Sequence, residues 1–75
     1  MIKLAQSENI YNPTARIVLI YTQENKTTPF STHLEVANDD TSFSYRSGCH
    51  FKTIQLAVTD FDDRCEAYGI KQVKI

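Results

Sequence analysis

The sequence predicts a small α+β domain, in which one amphipathic helix packs on one face of an antiparallel sheet of three to four strands, in the order β-β-β-α-β. Three observations carry this prediction. Apolar residues recur at helical spacing over residues 53–70, two segments alternate apolar and polar residues around an Asn-Asp turn, and residues 16–22 form a dense β-branched and aromatic run. With 75 residues, the chain is expected to form one domain spanning 1–75.

The strands are predicted with unequal detail along the chain. Residues 16–22 are apolar at successive positions, which favours a strand covered on both faces. Residues 30–37 alternate and predict the first strand of a hairpin, and residues 71–75 predict a short final strand. Residues 1–13 fit either an N-terminal arm or an edge strand. If one helix covers one face of this sheet, the apolar residues on the other face need a second cover.

The hairpin allows its register to be predicted. A four-residue loop at residues 38–41, rich in Asn and Asp, would place Val36 opposite Phe43 and Leu34 opposite Tyr45. All four side chains would then share the face that the helix covers. A slip of one residue would move them to the other face, so we expect both aromatic rings in the core.

The helix is predicted over residues 53–70, after Gly48 ends the preceding strand. Thr53 suits the N-cap, whereas Gly69 suits a left-handed C-terminal cap with Ile70 closing back on the last turn. The expected buried stripe comprises Ile54, Ala57, Val58, Phe61, Cys65 and Tyr68.

The other side of this helix is acidic. Four carboxylates are expected to face outward against Arg64 as the one base, and Leu56 lies among them on the helical wheel. A solvated surface is the simpler interpretation of such a pattern. An acidic patch with an apolar centre also suits docking on a basic protein surface. The candidate partner-binding residues are Leu56, Asp60, Asp62, Asp63 and Glu66.

Composition and motifs argue against several function classes. A net charge of −1 predicts neither direct nucleic-acid binding nor attraction to anionic membranes. The neighbours Cys49 and His50 would point to opposite faces of an extended segment, and the sequence has no catalytic motif, so we expect no enzyme. The histidines, cysteines and acids lack zinc or calcium spacing, so no metal and no cofactor are expected.

Location is predicted from what the sequence contains. No apolar run approaches the roughly 20 residues that span a bilayer. The first residues lack the pattern of a signal peptide. Two cysteines in a chain of this size favour free thiols over a disulfide framework. A cytoplasmic protein is expected.

One resemblance rests on the segment S-G-C-H-F-K-T, which leads directly from the hairpin into a helix ending D-F-D-D-R-C-E-A-Y-G-I. This organisation resembles small accessory proteins of phages and other mobile elements, several anti-CRISPR proteins among them. The resemblance implies inhibition by binding a host defence complex through a charged surface, in the cytoplasm of a bacterial host.

The leading hypothesis is therefore a non-enzymatic protein-binding module, an inhibitor that uses the acidic helix surface against a basic surface of a nucleic-acid-handling complex. A homodimeric module that self-associates through an uncovered sheet face around Val18 and Ile20 stays open as an alternative. A nucleic-acid-associated small protein is the second alternative.

Overall fold

The computed structural model describes residues 1–10, 15–38 and 42–73, which form a five-stranded antiparallel sheet and one helix. The α+β class with a single helix on one sheet face is confirmed, and the order gains one strand to become β-β-β-β-α-β. The sheet order is β4-β3-β2-β1-β5. The elements are β1 (Ile2–Ser7), β2 (Ala15–Tyr21), β3 (Phe30–Ala37), β4 (Phe43–Phe51), α1 (Ile54–Tyr68) and β5 (Gln72–Val73).

The additional strand is β1. It lies within residues 1–13, which the sequence predicted to be either an N-terminal arm or an edge strand. It pairs with β2 on one side and with the two-residue β5 on the other. Ser7 secures its end, because the buried Ser7 Oγ accepts a hydrogen bond from the Ile17 N–H at 2.9 Å. The remainder of the predicted arm, residues 11–13, and residues 74–75 of the predicted final strand lie outside the described residues.

The core lies between the helix and the centre of the sheet. Ile17 and Leu19 from β2 pack with Ala57, Phe61 and Cys65 from α1. The buried stripe is narrower than predicted, since three of its expected members are exposed. Ile54 and Tyr68 are the first and last helical residues, and α1 packs mainly on β2, β3 and β4 rather than on the whole sheet. The exposed members are Ile54, Val58 and Tyr68.

Both predicted helix caps are confirmed. The Thr53 side chain accepts a hydrogen bond from the Leu56 N–H at 3.3 Å. Gly69 takes a left-handed conformation with φ 66°, and the Ile70 N–H donates to the Cys65 carbonyl at 3.0 Å. Ile70 then packs against the core. This is the Schellman arrangement, which satisfies carbonyls at the helix end and needs a residue that tolerates positive φ.

The predicted hairpin register is wrong by one residue. Glu35 pairs with Tyr45 and Ala37 pairs with Phe43, so five residues, 38–42, connect the strands instead of the predicted four. Within this connection, the Asn38 N–H donates to the Ser42 carbonyl at 3.0 Å. A shift of one residue moves side chains to the opposite face. Phe43 and Tyr45 therefore lie on the side away from the helix, where they are 52% and 43% exposed.

Gly48 does not end β4 but belongs to a β-bulge within it. Ser47 and Gly48 together stand opposite the single residue His33, and Ser47 has a positive φ of 54°. The extra residue reverses the alternation of β4. Cys49 and Phe51 consequently lie on the helix side of the sheet, whereas Tyr45 lies on the other side. Unbroken alternation would have placed all three on the same side, because they are separated by even numbers of positions.

Candidate functional site

The sheet side away from the helix, here called the open face, holds a connected group of polar and aromatic side chains. The pairing registers place residues from β1, β2, β3 and β4 on it. They are Lys3, Gln6, Arg16, Ser31, His33, Glu35, Phe43, Tyr45 and His50, which surround the apolar Val18 and Ile20.

Glu35 is the centre of this group. Its side chain is 3% exposed, and it accepts from Arg16 Nε at 2.6 Å while Lys3 Nζ lies 3.1 Å from its second oxygen. Burial alone would raise the pKa of Glu35, but the hydrogen bonds from Arg16 and Lys3 outweigh burial and lower it. The buried carboxylate is therefore ionised at neutral pH, and its one negative charge is paired with the two positive charges of Arg16 and Lys3.

This ion network also explains why the apolar centre of the open face is not exposed. Lys3 on β1 pairs with Ile20 on β2. Glu35 lies on β3, on the other side of β2, where it pairs with Arg16. The Lys3 side chain must therefore cross β2 at the level of Val18, which its methylene stem can cover. Val18 and Ile20 are 0% and 2% exposed. The two residues predicted for self-association are thus covered within one chain.

The two aromatic rings of β4 extend the network outward. Tyr45 pairs with Glu35 across β3 and β4, and burial, followed by the interaction with the Glu35 carboxylate, raises the pKa of the Tyr45 hydroxyl. The Arg16 guanidinium carbon lies 5.9 Å from the centroid of the Phe43 ring, within reach of a cation–π contact. Both rings are held from one side by charged neighbours and present their remaining surface to solvent.

His33 links this region to the bulge. Its ring centroid lies 5.5 Å from that of Tyr45 and 5.8 Å from that of His50. A Cβ atom at Gly48 would stand 2.7 Å from His33 Nδ1, so the imidazole occupies space that only glycine leaves open. Burial, then the nearby His50 and Arg64, lower the pKa of His33. The ring is therefore neutral at pH 7.

The open face includes a serine–histidine pair, but its geometry does not suit nucleophilic catalysis. His33 Nε2 lies 2.9 Å from Ser31 Oγ. Ser31 is buried, and in the described part of the chain no hydrogen bond joins His33 to a carboxylate that could orient it. Cys49 lies on the helix side, where its Sγ contacts Arg64, whereas His50 lies on the open face.

The predicted acidic patch is divided by the structure. Leu56, at 55% exposure, and the exposed carboxylates Asp63 and Glu66 share the outward side of α1. Asp62 is exposed at the margin and its carboxylate bonds to the Gln72 amide. Asp60 instead turns to the sheet, where it accepts from Thr32 Oγ1 at 2.5 Å.

The Arg64 side chain also points toward the sheet. Its Nε bonds to Asp60 Oδ2 at 2.9 Å, and its Nη2 donates to the Ser47 carbonyl at 2.7 Å and contacts Cys49 Sγ at 3.0 Å. The guanidinium therefore joins the helix to the β-bulge. Because Arg64 is committed to this contact, it does not neutralise the outward carboxylates of α1.

Sequence reasoning missed the open face because it placed Phe43 and Tyr45 in the core. The available signal was Gly48, since a glycine inside a strand pattern often marks a bulge.

Comparisons with known proteins add no family. No protein-family model, curated protein or solved structure matches the chain. In the described residues, no group of three or more His, Cys, Asp or Glu is arranged to hold a metal ion. The helix found in those residues is too short and too polar to cross a membrane.

Proposed function

We propose that the protein is a non-enzymatic protein-binding module of phage or mobile-element type, which inhibits a host defence complex by docking the outward side of α1 on a basic surface. The observation that carries the proposal is the exposed Leu56 on the same helix side as the unpaired carboxylates Asp63 and Glu66. In the described residues, no salt bridge engages either carboxylate, and Arg64 points inward.

The partner chemistry follows from charge. RNA-guided defence complexes hold their heteroduplex in a positively charged channel, which is a basic surface that an acidic helix can occupy. Complementary charge speeds encounter and fixes orientation, while an apolar residue at the centre of the contact adds desolvation energy. α1 supplies both elements on one side, and its caps at Thr53 and Gly69 hold the helix independently of the patch.

The test is inhibition of such a complex in cells. Bacteria with an active CRISPR system would express the protein, and phage plating efficiency would report the inhibition. Leu56→Arg and Asp63→Arg, tested singly, should each abolish the gain in plating, since both side chains are exposed and the fold does not depend on them. Glu24→Arg is the matched control, because Glu24 is an exposed acid in the β2–β3 loop.

A direct measurement completes this test. The affinity of the purified protein for the purified effector complex should fall with Leu56→Arg and Asp63→Arg and persist with Glu24→Arg. Unchanged affinity and plating in folded variants would contradict the proposal. Asp60 is unsuitable for the test, since its reversal would also break the contact with Thr32 and Arg64.

The homodimer alternative finds less support. Val18 and Ile20 are covered by the chain itself, so they offer almost no apolar area to a second copy. Light scattering with size exclusion decides between the two forms. A mass near 8.6 kDa at high concentration would remove the alternative, and a stable dimer would restore it.

A further inference from the structure

We propose that the open face binds single-stranded nucleic acid, with bases stacked on Phe43 and Tyr45 and the phosphate backbone beside Arg16 and Lys3. This goes beyond the proposed function, which uses the opposite side of the molecule.

Two exposed aromatic rings lie on the open face. Phe43 and Tyr45 are two residues apart on β4, so they project from the same face about 7 Å apart along the strand. Neither ring is covered by the helix, and more than two fifths of each residue is exposed. Tyr45 pairs with Glu35 on the neighbouring strand, and its ring centroid lies 5.5 Å from that of His33, so the ring packs against its neighbours before any ligand arrives. Exposed aromatic side chains on a sheet are stacking surfaces for unpaired bases.

Charge is separated between the two sides of the molecule. Among the residues of the five strands, the open face carries the bases Lys3 and Arg16 against Glu35 as its one acid, whereas Arg46 pairs with Leu34 and lies on the helix side. The helix carries four acids against Arg64. A chain with net charge −1 therefore presents a cationic open face and an acidic opposite side. Because Glu35 is shared between two cations, one positive charge on this face is left for a phosphate.

The same features favour a single strand over other occupants. Stacking on Phe43 and Tyr45 requires unpaired bases, and a flat sheet face offers neither a helix nor a protruding ribbon to enter the grooves of a duplex. A second copy would bring Lys3 and Arg16 close to their own equivalents across a twofold axis, and like charges oppose that contact. Charge complementarity thus selects an anionic strand.

The test uses fluorescence anisotropy with labelled oligo-dT and oligo-rU of twelve nucleotides. Binding should be saturable at low salt and weaken steadily as salt rises. Phe43→Ala and Tyr45→Ala should each weaken it at least about fivefold, the lower end of the loss expected for one stacked base. Tyr68→Ala is the matched control, since Tyr68 is an exposed tyrosine on the helix and should bind as the wild type does.

Several results would overturn the proposal. They are the absence of saturable binding at low salt, an equal loss with Tyr68→Ala, and a duplex of the same sequence binding as tightly as the single strand. A dimer that Phe43→Ala or Tyr45→Ala converts to monomers would assign the face to a second copy instead.

Circular dichroism melts establish that each variant is folded. Phe43→Leu and Tyr45→Leu, which keep apolar bulk without a ring, should also lose binding. Phage inhibition depends on Leu56 and Asp63, so either proposal can fail while the other stands.

Discussion

Replacing Glu35 with glutamine removes the charge at the centre of the open face while keeping the shape of the side chain. Glu35 is almost completely buried and bonds to Arg16 at 2.6 Å and Lys3 at 3.1 Å. Glutamine retains one oxygen acceptor, but its amide group would place N–H donors against a cation. The variant therefore loses one charge-assisted contact and weakens the other.

The magnitude follows from these contacts. A hydrogen bond to a charged group contributes about 1.5–3 kcal/mol, and leaving a buried partner unmatched adds to the loss. Arg16 and Lys3 keep 26% and 28% of their side-chain surface exposed, so water replaces part of what the carboxylate supplied. We expect the free energy of unfolding to fall by about 2–3 kcal/mol. For a domain of this size, that lowers the Tm by about 10–20 °C.

Urea unfolding at pH 7 followed by circular dichroism measures the loss, with Glu24→Gln in the exposed loop as the control. The pKa of Glu35 is lowered from its ordinary value of 4.5, so its contribution is complete above that pH and is lost as the pH falls through the native pKa. The difference between wild type and Glu35→Gln should therefore shrink below pH 4.5. A loss under about 0.5 kcal/mol at pH 7, as for a surface position, would refute the reasoning.

Two further predictions concern the bulge and the histidine beside it. Gly48→Ala should lower the free energy of unfolding by about 1–3 kcal/mol, since the new Cβ would stand 2.7 Å from His33 Nδ1. Ser47→Gly, the matched change at φ 54°, should be neutral or stabilising by up to about 1 kcal/mol, and equal stabilities of Gly48→Ala and wild type in urea would contradict this account. His33 has a lowered pKa, so the unfolded chain binds its proton first as the pH falls, and stability should decline below pH 6.5. An NMR titration should place the His33 midpoint below 6.5, and a midpoint at or above that value would show the ring to be unperturbed.

Local chemistry made the helix predictable from the sequence. Thr53 and Gly69 act through hydrogen bonds and backbone conformations that involve only neighbouring residues, so their cap roles can be recognised without the fold. The position of Asp60 is different. On a helical wheel it lies between the outward and inward sides, and its direction depends on where the sheet extends beneath α1 and on Thr32 being there to donate a hydrogen bond.

The open face was missed for a related reason. Alternation reports which residues share a face only while pairing continues without interruption. Here a loop one residue longer than predicted sends Phe43 and Tyr45 to the open face, and the bulge at Gly48 then returns Phe51 to the core. The second change reverses the effect of the first for the rest of the strand. Phe43, Tyr45, Cys49 and Phe51 all stand at odd-numbered positions, and this regular spacing conceals both changes. Only the glycine reveals the interruption.

The order of strands has a consequence for how the molecule is made. β1 to β4 each pair with their immediate neighbours in the chain, so that part of the sheet can form as it leaves the ribosome. The outer edge of β1 remains unpaired for longer, because its partner β5 follows α1 in the chain and pairs with β1 only after the chain has crossed back over the sheet. Until then, the backbone groups of Gln6 and Ser7 are open to strands of other nascent chains. The earliest of these five strands is thus completed by the last of them, and the assembly of this edge is the step at which we expect the growing protein to need protection from aggregation.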